Sequence, residues 1–429
     1  MQKKAAGAAF YLSWASAVAV LVSIAASQIL LALAVATLLI SGLRLRLPRI
    51  WWLLAAFLGG TLISLAFSPD PAAGTPQVRK FFVYLVLLVV FSTFRNVRQA
   101  RWLVLSWAAV AAAGSGVALA QFGAKVFEAA RQGVDFYQYY VADRITGFMS
   151  HWMTFSGEAM IALVLLTSFL VFGRPDRRLR IAGSAAWVLL SLALVLGFTR
   201  AAWVGAAAGI VYLFWYGKRR LLWALPVAAF AMLLVPGVRS RAFSTFRPHG
   251  QLDSNQHRIV CWRTGIEMIE ANPVVGLGPE MVQPRFNDYV PADIPRPLPE
   301  GWYGHLHNIY LHYAAERGIP TALALTAMLI VMLRDFRRAA VRLGAGPAER
   351  DARFLLHGAA ATVIAVMFSG LFEHNLGDSE VLAMFLATAA AGYVARESAG
   401  AASPETLAVQ QEDRGNGALR APTVTPQPK

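Results

Sequence analysis

Three histidines lie close together in one short stretch of the chain that runs from Gly301 to His312. They are His305, His307 and His312, and they are followed by Glu316 and Arg317. A neutral imidazole, whose ordinary pKa is about 6.5, is well suited to accept a proton at physiological pH. The same side chain is a common ligand of divalent metals. The stretch is therefore a candidate either for general-base catalysis or for metal binding.

The spacing of these histidines argues against a metal site. His307 and His312 are five positions apart, so they miss the i, i+4 spacing that places two ligands on one helix face. His305 and His307 are two positions apart and would point away from each other on a helix. We therefore predict no metal and assign His307, at the outer mouth of a predicted membrane span, as the general base. A hydrogen-bonded structural histidine is the alternative.

Two arginines occupy positions that neither topology nor helix stability explains. Arg200 lies in a tight outer turn between two apolar segments, where arginine is normally scarce, although it could also anchor the interface beside Trp203. Arg258 opens a segment with helical spacing, and a cation at a helix N-terminus opposes the helix dipole. A solvated loop charge is the alternative for Arg258. We predict that Arg200 and Arg258 bind an anionic group.

Other polar residues give weaker signals. Arg263, His305, Glu316 and Arg317 are secondary candidates, and Arg263 could simply face lipid headgroups. The last outer turn, from Glu373 to Asp378, could line a cavity, but a solvated turn is the simpler interpretation. No predicted outer segment has the closely spaced Asp pair that holds a divalent metal on a lipid pyrophosphate. We therefore predict neither a metal nor another cofactor.

The composition indicates which kind of protein must position these residues. The chain has 429 residues, of which 57% are hydrophobic and 15% charged, with a mean hydropathy of +0.50. Soluble domains contain about 45–50% apolar and about 25% charged residues, so a soluble enzyme and a nucleic-acid module are both disfavoured. The net charge of +15 has a natural place in the cytoplasmic loops of a membrane protein. The single cysteine, Cys261, excludes a disulfide within the chain.

Apolar segments predict an all-α polytopic membrane protein with about twelve transmembrane helices. With a cytoplasmic N-terminus, every short inner loop is basic, including those around Arg178, Arg219 and Arg338, as the positive-inside rule requires. Both termini are therefore predicted to be cytoplasmic. The predicted spans are 5–25, 27–43, 51–67, 80–94, 102–122, 155–173, 181–198, 201–216, 221–236, 319–334, 355–372 and 379–395.

This layout divides the chain into four parts. Residues 1–236 hold the first nine spans, 237–318 form one long, partly helical outer loop with the candidate residues, 319–396 hold the last three spans, and 397–429 form a disordered cytoplasmic tail. Within the loop, apolar spacing predicts a helix from His257 to Ala271 that Asn272-Pro273 ends. A turn follows at 276–279. A second helical pattern runs from 307 to 316.

Three motifs in this layout resemble those of the O-antigen ligase and polymerase superfamily of bacterial envelope glycosyltransferases. They are Thr199 to Trp203; Arg258 to Trp262 leading into Asn272-Pro273-Val274-Val275-Gly276-Leu277-Gly278; and His307-Asn308-Ile309-Tyr310-Leu311 followed by Glu316-Arg317-Gly318. The twelve-span layout and the long outer loop also match this superfamily. The chain is most similar to the O-antigen ligases, and the O-antigen polymerases and protein O-oligosaccharyltransferases are the alternatives.

The resemblance implies an activity at the periplasmic face of the bacterial inner membrane. A polysaccharide on undecaprenyl pyrophosphate would be transferred to the lipid A-core oligosaccharide without a metal or nucleotide. The expected partners are these two lipids and the surrounding membrane lipids, but not nucleic acid. In this interpretation Arg200 and Arg258 bind the pyrophosphate, and His307 is the base. A lipid-linked glycan transporter is a competing interpretation, supported by the span count alone.

Overall fold

A computed structural model describes residues 2–244, 254–344, 346 and 349–401. These residues form seventeen α-helices joined by turns and short 3-10 segments, and no strand occurs among them. In chain order the helices are α1 (Gln2–Ala19), α2 (Ile24–Ile40), α3 (Trp51–Ala66), α4 (Pro71–Arg79), α5 (Phe81–Thr93), α6 (Val97–Gln132), α7 (Phe136–Ala142), α8 (Trp152–Phe172), α9 (Arg177–Leu196), α10 (Arg200–Tyr216), α11 (Ala224–Leu233), α12 (Pro236–Phe243), α13 (Ser254–Ala271), α14 (Val282–Arg285), α15 (Ile309–Arg342), α16 (Arg350–Ser369) and α17 (Ser379–Ala401).

The centre of the molecule is built from α8, α10, α16 and α17. Helix α16 packs against each of the other three, and small residues allow these backbones to approach closely. A Cβ atom at Gly209 of α10 would lie 3.0 Å from the carbonyl oxygen of Ala361 in α16. Close packing of small residues is how helices associate where lipid removes the hydrophobic driving force. This core is the rigid frame that carries the polar site.

The helices agree with a multi-pass membrane protein. Each of the twelve predicted spans overlaps at least one helix. In the described part of the chain, six helices are long and apolar enough to cross a bilayer, and a bent pair, Arg219–Leu233 and Pro236–Phe243, meets at 104°. Helices α2 and α3 are apolar but shorter, with 17 and 16 residues. The all-helical class is therefore confirmed, while the number of spans stays a prediction.

The segment after α13 folds back onto α15 and fixes the polar end of that helix. Helix α13 ends at Ala271, as the Asn272-Pro273 pair predicted. The N–H of Leu277 donates to the carbonyl of Ala315 at 2.9 Å. Gly318 has a φ of +80°, and a Cβ there would lie 1.9 Å from the carbonyl oxygen of Val274. Only glycine fits this crossing, so the Glu316-Arg317-Gly318 motif has a clear role in the fold.

The last helix continues past the predicted start of the tail. Helix α17 ends at Ala401, so residues 397–401 are helical. The remaining predicted tail, 402–429, lies outside the described residues.

Candidate active site

His307 lies immediately before α15 in a strained backbone conformation. Its φ is +47°, and such a conformation costs a non-glycine residue on the order of 1–3 kcal/mol and is concentrated at functional sites. Asn308 caps α15 by accepting a hydrogen bond from the N–H of Leu311 at 3.0 Å. The N–H of Ile309 donates to the carbonyl of Gly370 at 2.8 Å. These bonds fix the backbone that follows His307 and hold its imidazole in place.

A buried carboxylate, Glu373, joins the polar side chains into what we call the His307 cluster, which consists of Arg258, His305, His307 and Glu373. Oε1 of Glu373 lies 3.4 Å from Nδ1 of His307 and 3.5 Å from Nε2 of His305. Its Oε2 lies 3.8 Å from Nη2 of Arg258. Glu373 thus contacts all three of the other members.

The environment of Glu373 favours its charged form. Burial by itself raises the pKa of Glu373. The hydrogen bond from His307 and the charge of Arg258 counteract burial, and the pKa of Glu373 lies well below its ordinary value. Glu373 is therefore an anion at neutral pH, and it orients both imidazoles.

The two imidazoles differ in which nitrogen is left for chemistry. In His305, Nδ1 accepts a hydrogen bond from the N–H of His307 at 3.2 Å while Nε2 faces Glu373, so both nitrogens are occupied. In His307, Nδ1 faces Glu373, and Nε2 is buried without a hydrogen-bond partner among the described residues. Because a carboxylate only accepts hydrogen bonds, Nδ1 of His307 carries the proton. In the neutral imidazole, Nε2 therefore has the lone pair that a general base needs.

His305 and His307 lie together, which corrects the expectation that they would point apart. Their ring centroids are 4.1 Å apart, because both residues precede α15 and the left-handed turn at His307 brings the rings to one carboxylate. Side-chain donor atoms of His305, His307 and Glu373 lie within 4.8 Å of one another, as do those of His257, Cys261 and His307. The folded chain thus offers two sets of residues that could hold a divalent metal, and both sets use His307.

Two neutral histidines lie beside His307. The ring of His257 lies 5.1 Å from that of His307 between centroids, and the ring of His305 lies 4.1 Å from it. Burial lowers the pKa of both His257 and His305 to about 4, so both are neutral at pH 7. A cavity of about 260 Å³ borders the cluster, and its described lining includes His305 and Glu373 but not His257 or His307.

Two further buried arginines, Arg144 and Arg241, lie close enough to Arg258 to interact with its charge. Arg144 and Arg241 are both buried and both donate to the carbonyl of Phe198, at 3.5 and 3.1 Å. Burial, followed by the charge of Arg241, lowers the pKa of Arg144 to about 9. Burial also lowers the pKa of Arg258, whose Nε has no hydrogen-bond partner in the described chain. Three arginines in so little water are suited to an anionic ligand.

Arg200 lies beside this group. It begins α10, two residues after Phe198, and its Nη2 donates to Oδ1 of Asn255 at 2.8 Å. Asn255 lies three residues before Arg258 on α13, so this bond joins the N-termini of α10 and α13. The structure therefore brings the two predicted arginines to one region. Helix N-termini favour anions, which adds to the effect of the arginines.

Glu316 and Arg317 belong to a different group, which we call the Arg317 cluster and which consists of Gln77, Glu280, His312, Glu316 and Arg317. Nη1 of Arg317 donates to Oγ1 of Thr61 at 3.1 Å, and Nη2 donates to Oε1 of Gln77 at 2.9 Å. The guanidinium also lies 4.4 Å from the ring centroid of Tyr313. Arg317 thus links α15 to α3 and α4.

Glu316 completes this link through its side chain and its backbone. Its Oε1 accepts the N–H of Glu280 at 2.7 Å, and its carbonyl accepts hydrogen bonds from Ser64 and Gly278. Nε2 of His312 lies 3.5 Å from its Oε2. The Arg317 cluster therefore holds α3, α4, α15 and the segment after α13 together.

Arg263 lies outside both clusters. It is exposed on α13, and its Nη2 donates to Oδ1 of Asp293 at 2.8 Å. This surface ion pair accounts for Arg263 without any role in a site.

Residues 185–326 match a family model described as O-antigen ligase. The match covers 142 of the 429 residues. The O-antigen ligase segment includes Arg200, Arg258 and His307 and ends before Glu373. No curated protein matches the chain. The match and the apolar helices together indicate a glycosyltransferase-like enzyme with several membrane-spanning helices.

Several polar residues of the site were not found from the sequence. The interpretation of 373–378 as a solvated turn is wrong for Glu373 and Asn375, which are buried because the turn folds back over the histidines. Lys80 lines the cavity, and its Nζ donates to the carbonyl of Gly377 at 2.9 Å. Arg144 also lies in a predicted outer segment, 123–154, and no pattern in the sequence distinguished it from Lys125 and Arg131 of the same segment.

Proposed function

We propose that the protein is an O-antigen ligase that transfers a polysaccharide from undecaprenyl pyrophosphate to the lipid A-core oligosaccharide. One observation carries the proposal: a carboxylate-oriented histidine with an unpartnered Nε2 lies beside buried arginines, within and next to the O-antigen ligase segment. Such an arrangement suits a reaction that joins a neutral hydroxyl to a donor with an anionic leaving group.

The reaction needs two kinds of help, and the site has a residue for each. The acceptor hydroxyl oxygen forms a bond to the anomeric carbon of the donor glycan while the bond from that carbon to the phosphate oxygen breaks. The hydroxyl proton passes to Nε2 of His307, and the bonding electrons remain on undecaprenyl pyrophosphate. Glu373 stabilises the imidazolium that forms at His307. Arg200 and Arg258 stabilise the growing charge of the pyrophosphate, because guanidinium groups bind phosphate oxygens in a bidentate way.

Arg144, Arg241 and Lys80 extend the proposed donor site. Arg144 and Arg241 are held in place by the carbonyl of Phe198. Lys80 is held by the turn that follows Glu373. Each would add positive charge where the pyrophosphate leaves. In the proposal the donor, rather than the acceptor, therefore binds next to these cations.

We place the site at the periplasmic face of the inner membrane, with both termini in the cytoplasm. The support is the basic character of the loops at the opposite ends of the helices, around Arg178, Arg219 and Arg338. Single cysteines in a C261S background would test this. A cysteine at Asn287 should be labelled in intact cells by a membrane-impermeant maleimide, and one at Arg338 should not. The reverse pattern would contradict the orientation.

The decisive experiment is transfer by the purified protein from a lipid-linked glycan to lipid A-core. We expect a glycosylated lipid A-core as product. Two further acceptors, a second lipid-linked glycan and a serine-containing pilin-like protein, distinguish polymerase and protein O-oligosaccharyltransferase activity from ligase activity. Product on either of these and none on lipid A-core would replace the proposal with the corresponding alternative.

The same transfer assay with a metal chelator tests whether the reaction proceeds without a metal. A divalent metal bound to Nε2 of His307 would take the lone pair that the proposed base uses. Transfer should therefore be unchanged after dialysis against a chelator. Loss of transfer that zinc or magnesium restores would show that the histidines and Glu373 act as ligands.

A further inference from the structure

A second large cavity lies at the end of the helices farthest from His307. It has a volume of about 670 Å³ and is bounded by the end of α8, the start of α9, the end of α10 and the start of α16. The active site lies at the opposite ends of α8, α10 and α16. Helix α8 has 21 residues, which corresponds to about 30 Å. This is about the thickness of the hydrocarbon core of a bilayer, so the cavity lies at the other membrane interface.

Five cations and no acidic residue occur in the described lining of this cavity. They are Arg174, Arg180, Lys218, Arg350 and Arg353. The acidic residue nearest in sequence on α16, Asp351, is already paired with Arg101 at 3.0 Å. Nε of Arg350 and Nε of Arg353 are buried without hydrogen-bond partners among the described residues. The cavity therefore has donors and positive charge that an anionic ligand would satisfy.

Most of the remaining lining residues are apolar and continue onto the surface of α9, and Thr167, Ser184 and Tyr216 lie among them. Leu170, Phe172, Trp187 and Phe214 line the cavity below the cations. Val188 both lines the cavity and is exposed on the outer face of α9, where Leu192 is also exposed. A ligand with a charged head and an apolar chain would fit both parts at once. A free phosphate compound would use only the basic part.

We propose that this cavity binds the headgroup of an anionic phospholipid, with its acyl chains along α9. The charge of the lining, its position at the hydrocarbon boundary and the apolar opening at Val188 together select a lipid rather than a soluble anion. Basic pockets between transmembrane helices are a known setting for such headgroups. This inference does not depend on the proposed transfer reaction, since none of the lining residues belongs to the active site.

Binding of defined lipids to the full-length purified protein tests the proposal. Native mass spectrometry in detergent would compare cardiolipin and phosphatidylglycerol with phosphatidylcholine. We expect the anionic lipids to bind and the neutral lipid not to bind. At about 1 kcal/mol for each basic residue, the R350Q/R353Q double variant should bind cardiolipin about 30-fold more weakly. Equal binding of phosphatidylcholine would overturn the proposal.

A matched variant separates the cavity from general surface charge. R44Q/R95Q removes two exposed cations that do not line the cavity, and it should bind cardiolipin like the wild-type protein. An equal loss in both double variants would overturn the proposal, as would displacement of the lipid by inorganic pyrophosphate. If R350Q/R353Q does not fold, K218Q on the exposed rim serves instead, with an expected weakening of about fivefold. Unchanged binding in K218Q would then count against the site.

Discussion

The His307 cluster and the Arg317 cluster are both buried and both contain histidine, carboxylate and arginine, but they satisfy their charges differently. Both Nη groups of Arg317 donate hydrogen bonds, and its Nε lies 3.8 Å from Oε2 of Glu316 in an ion pair. In the His307 cluster, Nε2 of His307 and Nε of Arg258 have no hydrogen-bond partner among the described residues. Nε of Arg317, Oε2 of Glu316 and Nδ1 of His312 also lack a hydrogen-bond partner among these residues. The clusters differ in their arginines: both Nη groups of Arg317 donate to neighbouring helices, whereas Arg258 contacts Glu373 in an ion pair at 3.8 Å.

This difference bears on which residues hold the fold together. Hydrogen bonds from one buried arginine to two other helices rigidify the fold, so the motif that contains Glu316 and Arg317 has a clear role in helix packing. In the proposed function, by contrast, Arg258 and the unpartnered Nε2 of His307 serve a ligand and a reaction.

Replacement of His307 should have the largest effect on transfer. H307A removes the base, so transfer should fall by roughly 10²–10⁴-fold, and the melting temperature should also fall because buried Glu373 loses the hydrogen bond from Nδ1 of His307. H307Q tests whether the residue only donates a hydrogen bond, since an amide cannot replace a base. H305N is the matched control, with a smaller expected loss because both nitrogens of His305 are occupied. Full transfer in H307A would rule out both roles.

Replacement of Arg317 should affect stability rather than chemistry. R317M removes the cation from a buried network that includes Glu316 and should destabilise the protein by about 3–5 kcal/mol. Thermal unfolding in detergent would show this as a lower melting temperature and a lower yield. Transfer per folded molecule should stay within a few-fold of wild type. A stable R317M protein without transfer would instead place Arg317 in the reaction.

Replacement of Glu373 tests how base catalysis by His307 and donor binding by Arg258 depend on the carboxylate between them. E373Q keeps the shape but loses the charge that orients His307, so kcat should fall by about 10–100-fold, the value of one charge-assisted hydrogen bond. The KM for the lipid-linked donor should be unchanged or lower, because Arg258 loses its anionic partner and becomes more available to pyrophosphate. A raised KM with an unchanged kcat would mean that Glu373 serves the acceptor instead.

The sequence predicted the helices better than the contacts between distant residues. Hydrophobic patterning located the helices, and Asn272-Pro273 fixed the end of α13, because both signals are local. Arg200 and Arg258 were singled out because each is unfavourable where it stands, and their roles stay predictions.

Glu373 could not be predicted because its role depends on a contact between distant parts of the chain. It lies 66 positions after His307, in a turn whose polar composition is typical of a solvated loop. Only the packing of α15 against α16 and α17 brings that turn over the histidines. The relation of His305 to His307 was also missed, because helical spacing was assumed for residues that precede the helix.

A pH profile of stability tests the burial of His257 and His305, the two histidines beside His307. His257 and His305 have a folded-state pKa of about 4, below the value of about 6.5 in an unfolded chain. Between these values the unfolded chain binds more protons than the folded one, so stability should fall as the pH drops from about 6.5 to about 4. H257N/H305N should flatten this part of the melting-temperature profile. An unchanged slope would mean that other groups cause the pH dependence.

Replacement of Arg263 should have the smallest effect and provides a control for charge. Arg258 and Arg263 lie on the same helix, but Arg258 is buried beside Glu373 while Arg263 is exposed and paired with Asp293. R258A should therefore raise the KM for the donor by about 10–100-fold, whereas R263A should match wild type in both KM and melting temperature. The two variants change the net charge equally. Similar losses in both would mean that long-range positive charge, rather than the position of one guanidinium, attracts the donor.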